Sequence, residues 1–125
     1  MTLSEVIERL DTLKPNQYTA AQKVRWLSEC DALIYRNIFA THDLPEGAPA
    51  SFDGYTDNDM DRQLLVGAPH DILYEYWLQA QVDYYNKELG NYNNSRVLYN
   101  SAYTTYEAWH NSNYMPLQRA THIKL

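Results

Sequence analysis

The stretch Pro69–Pro116, PHDILYEYWLQAQVDYYNKELGNYNNSRVLYNSAYTTYEAWHNSNYMP, holds two consecutive helical patterns joined at a glycine. Pro69 suits the first position of a helix, because the amide it lacks would have had no partner there. Asp71 and Glu75 add negative charge near the positive end of the helix dipole. Ile72, Leu73, Tyr76, Trp77, Ala80 and Tyr84 then build a broad apolar face, and Gly90 offers a left-handed stop. Such a helix is roughly 30 Å long at about 1.5 Å per residue. The next helix starts near Asn91 to Asn94, each a suitable cap, and runs to about His110, with Leu98, Tyr99, Ala102, Tyr103, Tyr106 and Trp109 on adjoining faces. The pair is expected to form an antiparallel hairpin about Gly90.

The second arm of that hairpin is aromatic and almost uncharged: Tyr92, Tyr99, Tyr103, Tyr106, Trp109 and Tyr114 stand among asparagines and serines. Tyr and Trp give large, rigid contact area while keeping a polar tip, which enriches them where protein surfaces meet. Trp26, Tyr76, Trp77 and about half of the tyrosines are expected in the chain's own core. Four helices of this size are not expected to hide all 12 Tyr and 3 Trp, so the remainder is assigned to an intersubunit contact. The candidate contact residues are Tyr99, Tyr103, Tyr106, Trp109 and Tyr114, followed by Met115 and Arg119.

Upstream, Thr2 and Glu5 form a capping box, and Leu3, Val6, Ile7, Leu10 and Leu13 follow at helical spacing until Lys14-Pro15. Thr19 with Gln22 repeats the signal, and Ala20, Val24, Leu27, Ile34 and Ile38 carry a longer helix to about Phe39 or Ala40. From Thr41 to Arg62 the periodicity is gone, and Pro45, Gly47, Pro49 and Gly54 exclude regular helix. So long a loop makes 41–68 a candidate contact element, pinned by Phe52 and Tyr55. Leu64-Leu65-Val66 is either a brief strand or core filling. The tail LQRATHIKL after Pro116 is expected to be a mobile or partner-docked arm. The expected fold is all-α: one domain, 1–125, of four principal helices, with a long acidic loop (41–68) between the second and third and a short C-terminal arm (115–125).

At 125 residues a single domain can bury a core without disulfides, and the lone Cys30, inside a helical pattern, is expected to be a buried or half-buried free thiol. The formal charge is −6. It is concentrated between Ala40 and Ala68, where Asp43, Glu46, Asp53, Asp57, Asp59 and Asp61 face only Arg62. The dispersed lysines and arginines make no basic footprint, which argues against sequence-specific nucleic-acid binding. No run approaches the roughly 20 apolar residues of a membrane span, and acids at Glu5 and Glu8 stand where a signal peptide has bases, so a soluble, cytosolic protein is expected.

Catalytic chemistry has little footing. Asp57, Asp59 and Asp61 alternate as in a calcium loop, but Arg62 occupies the position that needs glycine and Ala68 the one that needs a closing glutamate. With Asp53 they are assigned to a solvated acidic loop, the alternative being an adventitious or interface-shared cation site. His42, His70, His110 and His122 are scattered, without the spacing of a helical zinc site. No nucleophile elbow or phosphate loop is present. Glu29, Asp31, Asp71 and Glu75 are read as exposed or capping acids, and Asn93-Asn94-Ser95 as a helix start. No cofactor, metal or enzymatic activity is expected.

Taken together, LKPNQYTAAQKVRWLSECDALIYRNIF and LLVGAPHDILYEYWLQAQVDYYNKELGNYNNSRVLYNSAYTTYEAWHNSNYMP resemble the small helical head-tail connector (adaptor) proteins of tailed phages and prophages of Gram-positive bacteria. The resemblance runs from Leu13 to Pro116, with the KPNQY turn, the APHD helix start and the YNNS helix start as its most specific parts. It implies a virion structural protein at the head-tail junction, made in the host cytoplasm. Its copies would form a ring that contacts portal and tail-completion proteins around the DNA channel. An acidic loop facing such a channel would repel phosphates. The alternative is a soluble phage-encoded helical adaptor or regulator that binds one partner without forming a ring.

Overall fold

At the N-terminus the Thr2 hydroxyl accepts the Glu5 amide and the Glu5 carboxylate accepts the Thr2 amide, so the capping box closes as the sequence indicates. The first helix, α1 (Leu3–Leu13), follows in a computed structural model that describes residues 1–44 and 47–116. Its remaining free amides are met by the chain itself. Leu3 N–H donates to the Arg62 carbonyl and Ser4 N–H to that of Met60, while Leu64 N–H donates back to Met1. A helix start with four unpaired donors is thereby sealed by a segment about 60 residues away.

Three further helices complete an all-α architecture: α2 (Ala20–Asn37), α3 (Ile72–Tyr85) and α4 (Leu89–Asn113). Among the described residues there is no strand, only isolated bridges at Thr2–Gln63 and His42–Pro116. Helix α2 starts on the Thr19 hydroxyl and ends at Asn37, after which a 3₁₀ turn, Phe39–Thr41, carries the chain off the bundle.

Helix α3 is the middle of the molecule. It packs against α1, α2 and α4, and Leu73, Tyr74, Trp77, Leu78, Ala80 and Val82 are all buried. A helix buried around most of its circumference belongs at the centre of the bundle. Each fully buried Leu or Val there contributes about 1.5–3 kcal/mol. Ion pairs dock α1 onto its neighbours: Arg9 holds Glu75 through two hydrogen bonds of 2.9 and 3.2 Å, Lys23 holds Asp11 at 2.6 Å, and Lys14 pairs with Asp83.

Several boundaries differ from those the sequence implied. Helix α3 begins at Ile72 because Gly67–Asp71 is spent on turns, with His70 N–H donating to Gly67 and Leu73 N–H to His70. Its 14 residues therefore span about 21 Å, not 30 Å. The stop is Lys87, at φ 61°, and not Gly90, which lies in the first turn of α4. The α3–α4 hairpin thus turns at Asn86–Glu88, where Glu88 N–H returns to the Asp83 carbonyl.

The acids of the helices depart furthest from expectation. Asp31 is fully buried, neither exposed nor a cap. Its carboxylate accepts from the Tyr55 and Tyr74 hydroxyls and from the Leu65 amide. Glu75 is buried against Arg9, and Asp71 lies 3.5 Å from the Met1 amine.

The described part of this loop, residues 47–71, is correspondingly well tied. Ser28 Oγ accepts the Tyr55 amide at 2.7 Å, Phe52 packs edge-on against Tyr55, and Leu64 and Val66 are core residues with no strand between them. Asp59 caps a 3₁₀ turn at Asp57–Asp59 through the Thr56 amide, whereas Asp53, Asp57 and Asp61 are exposed. Cys30 is a buried free thiol beside the Tyr99 hydroxyl.

Candidate assembly surface

Helix α4 is 25 residues of mostly poor helix formers, Asn, Ser, Thr and Tyr, and its Glu88 N-cap makes no side-chain capping bond. Packing on α3 holds it. Ser95, Tyr99, Tyr106 and His110 are buried along one side, with Tyr92, Ala102 and Tyr103 half-buried at its edges. Ser95 donates to Asp83 at 2.8 Å, the Tyr99 ring meets Trp77 at 5.1 Å, and Arg96 lies over both of those rings.

This corrects two assignments. Tyr99 and Tyr106 belong to the chain's own core, 6% and 3% exposed, and offer no contact area to a partner. They recur at helical spacing, and that spacing turns them toward α3. Tyr103 is half-buried beside Tyr99. Trp109 is exposed at the edge of α4 above His70, Tyr114 packs on His110, and Met115 is exposed while its carbonyl accepts the Asp43 amide. Arg119 and the rest of 117–125 lie outside the described residues. The expected surplus of surface rings is also smaller than composition implied. The loop shelters Tyr35, Phe52 and Tyr55, leaving Tyr84, Tyr85 and Trp109 as the exposed aromatics of the described chain.

The opposite side of α4 is the more informative one. Asn91, Asn94, Val97, Leu98, Ser101, Thr104, Thr105, Ala108 and Trp109 are exposed, and no exposed residue of this helix is charged. Val97 is 66% exposed and Leu98 47%, neither of which sequence reasoning selected as a contact. Leu98 and Thr105, with Pro69, His70, Ile72 and Tyr76, line a groove of about 300 Å³ between α4 and the start of α3. The signal was present as the face lying opposite the Tyr99–Tyr106 line.

At the far end of α4, His110 is fully buried. It stacks on Phe39 at 5.2 Å, with Tyr114 at 4.5 Å and His42 edge-on at 5.5 Å. Burial, with His42 adding to it, holds its proton affinity below the usual 6.5. The unfolded chain therefore takes up this proton first, and the stability tied to neutral His110 is lost as pH drops below 6.5. His110→Phe keeps the stacking surface without the ionisable ring. Urea denaturation at pH 7 and pH 5 is expected to show the variant gaining on the parent as the solution is acidified; a constant difference between them counts against a neutral buried imidazole.

No family model, curated protein or solved structure matches the chain in comparisons of sequence and fold. Among the described residues no helix is long and apolar enough to cross a membrane, and no three His, Cys, Asp or Glu side chains converge as metal ligands.

Proposed function

We propose that this chain is a structural subunit of a phage virion, a head-tail connector that associates with its own copies and with portal and tail-completion proteins. The observation that carries the reading is the charge-free exposed side of α4 on a molecule of net charge −6. Acidic copies repel one another over most orientations, and contact is least opposed where charge is absent. Val97, Leu98 and Trp109 give that side apolar area, in keeping with the depletion of charge at interface centres. The exposed Asp53, Asp57 and Asp61 suit a surface that does not bind DNA phosphates.

The test is assembly with a portal protein, followed by light scattering on a sizing column and by negative-stain electron microscopy. A closed ring of this chain on the portal is the expected result. A monomer or dimer that ignores portal overturns the connector reading in favour of a single-partner adaptor.

A further inference from the structure

The far end of α4 closes over His110, a ring that is fully buried and short of a partner. Its Nδ1 lies 3.4 Å from the Tyr106 hydroxyl, and its Nε2 has no hydrogen-bond partner among the described residues. A neutral imidazole tolerates one idle nitrogen; a charged one strands a cationic N–H in a dry place. Nothing nearby offsets that charge. Tyr106 and Tyr114 meet the ring, and so does a second imidazole, His42, whose Nδ1 is engaged by the Thr41 hydroxyl and the Ile38 carbonyl. Glu107 stands three residues back on α4 and Asp43 follows His42, yet among the described residues neither carboxylate pairs with a histidine. His70 packs on Tyr106 and Trp109.

The walls around His110 are unequally held. Phe39 is 2% exposed and belongs to the core. Tyr114 comes from the residues after α4, 114–116, which are fastened to the turn after α2 by the Asp43 amide on the Met115 carbonyl at 2.8 Å and by the lone bridge His42–Pro116. Met115 and Pro116 are exposed. One backbone hydrogen bond among exposed residues opens at far lower cost than the bundle does.

We propose that residues 114–116 form an acid-released latch: a proton taken up at His110 swings Tyr114 off the ring and frees the Asp43 amide from Met115, with the Tyr114 amide on the His110 carbonyl as the hinge and the four helices still folded. The imidazole gains water at Nε2, and the Phe39–His42 wall behind it becomes accessible. The open form takes its proton at the ordinary 6.5, whereas the closed form does so only at lower pH. Opening therefore gains almost tenfold for each pH unit below 6.5, and at most about 25-fold between pH 7 and pH 5.

This latch needs no partner and stands apart from the connector reading. The test is amide hydrogen exchange of the full chain by NMR, with each rate divided into the unstructured rate at the same pH. The Asp43 amide reports the latch, and the Leu78 and Val82 amides of α3 report the bundle. From pH 7 to pH 5 the protection of Asp43 is expected to fall about tenfold without a matching fall at Leu78 and Val82, and in His110→Phe this pH dependence is expected to vanish. Should His110→Phe not fold, Tyr114→Ala decides, since it removes the cover from a half-buried site at the end of the helix. The His110 imidazole, followed in the side-chain spectrum, is then expected to titrate closer to 6.5 than in the parent. Asp43 protection that is equal at both pH values, that falls as much in His110→Phe, or that falls only in step with Leu78 and Val82 overturns the proposal, as does a His110 titration unmoved by Tyr114→Ala.

Discussion

Asp31→Ala is expected to lower the unfolding free energy by about 3–5 kcal/mol in urea denaturation followed by tryptophan fluorescence. Two tyrosine hydroxyls and the Leu65 amide converge on this one buried carboxylate, and alanine leaves all three without an acceptor. An abandoned buried donor costs about 1–3 kcal/mol, partly offset here because the desolvation of the charge disappears as well. Against a typical total of about 5–15 kcal/mol, the loss is a large share of the fold. The loop should suffer first, since Asp31 joins α2 to Tyr55 and Leu65 as well as to α3. A measured loss under about 1 kcal/mol would mean that the loop is fastened elsewhere.

The same residue carries a pH signature. Burial raises the Asp31 carboxyl to about 6 from its ordinary 3.8, while the hydrogen bonds to Tyr55, Tyr74 and Leu65 pull the other way. The folded chain therefore holds a proton that the unfolded chain releases. That contribution is fully present below about 4 and is lost as pH rises through 6. Asn cannot titrate, so the cost of Asp31→Asn should be greater at pH 5 than at pH 7.5. His110 acts in the opposite direction over the same interval, which is why each is to be read as a difference between variant and parent.

The second large effect concerns the Lys14–Asp83 pair. Asp83 is completely buried, receives the Ser95 hydroxyl, and has Lys14 as its cation. Lys14→Met removes the cation and leaves the carboxylate in the interior, a loss expected near 3 kcal/mol given that the lysine side chain is itself 26% exposed. Asp83→Leu in the same background replaces both charges with apolar groups and should recover most of the stability. If the double variant is as unstable as the sum of the two single changes, the residues do not act as a pair.

What could be read in advance was local. Thr2 with Glu5 and Thr19 with Gln22 set two helix starts because each signal lies within a single turn. The α3–α4 hairpin followed from consecutive apolar periods. Asp31 reads as a solvent-facing acid because its partners lie 24, 34 and 43 residues away, and nothing within a helical turn marks it out. Gly90 is the stop that sequence favours because glycine tolerates positive φ best, yet Lys87 adopts it where Glu88 N–H can reach the Asp83 carbonyl. Tyr99 and Tyr106 show the limit on the site itself: their spacing marks one side of a helix, but only the position of α3 decides whether that side faces in or out.

The carbonyls of Met60 and Arg62 that seal the start of α1 have a kinetic corollary. The α3–α4 hairpin closes over a three-residue turn and can form early, whereas α1 has its first amides satisfied only after a stretch nearly half the chain long has been brought round. Bundles rich in neighbouring contacts fold fastest. This one also carries a remote closure, so the docking of the 60–64 segment at the N-terminus is expected to come after the local α3–α4 hairpin.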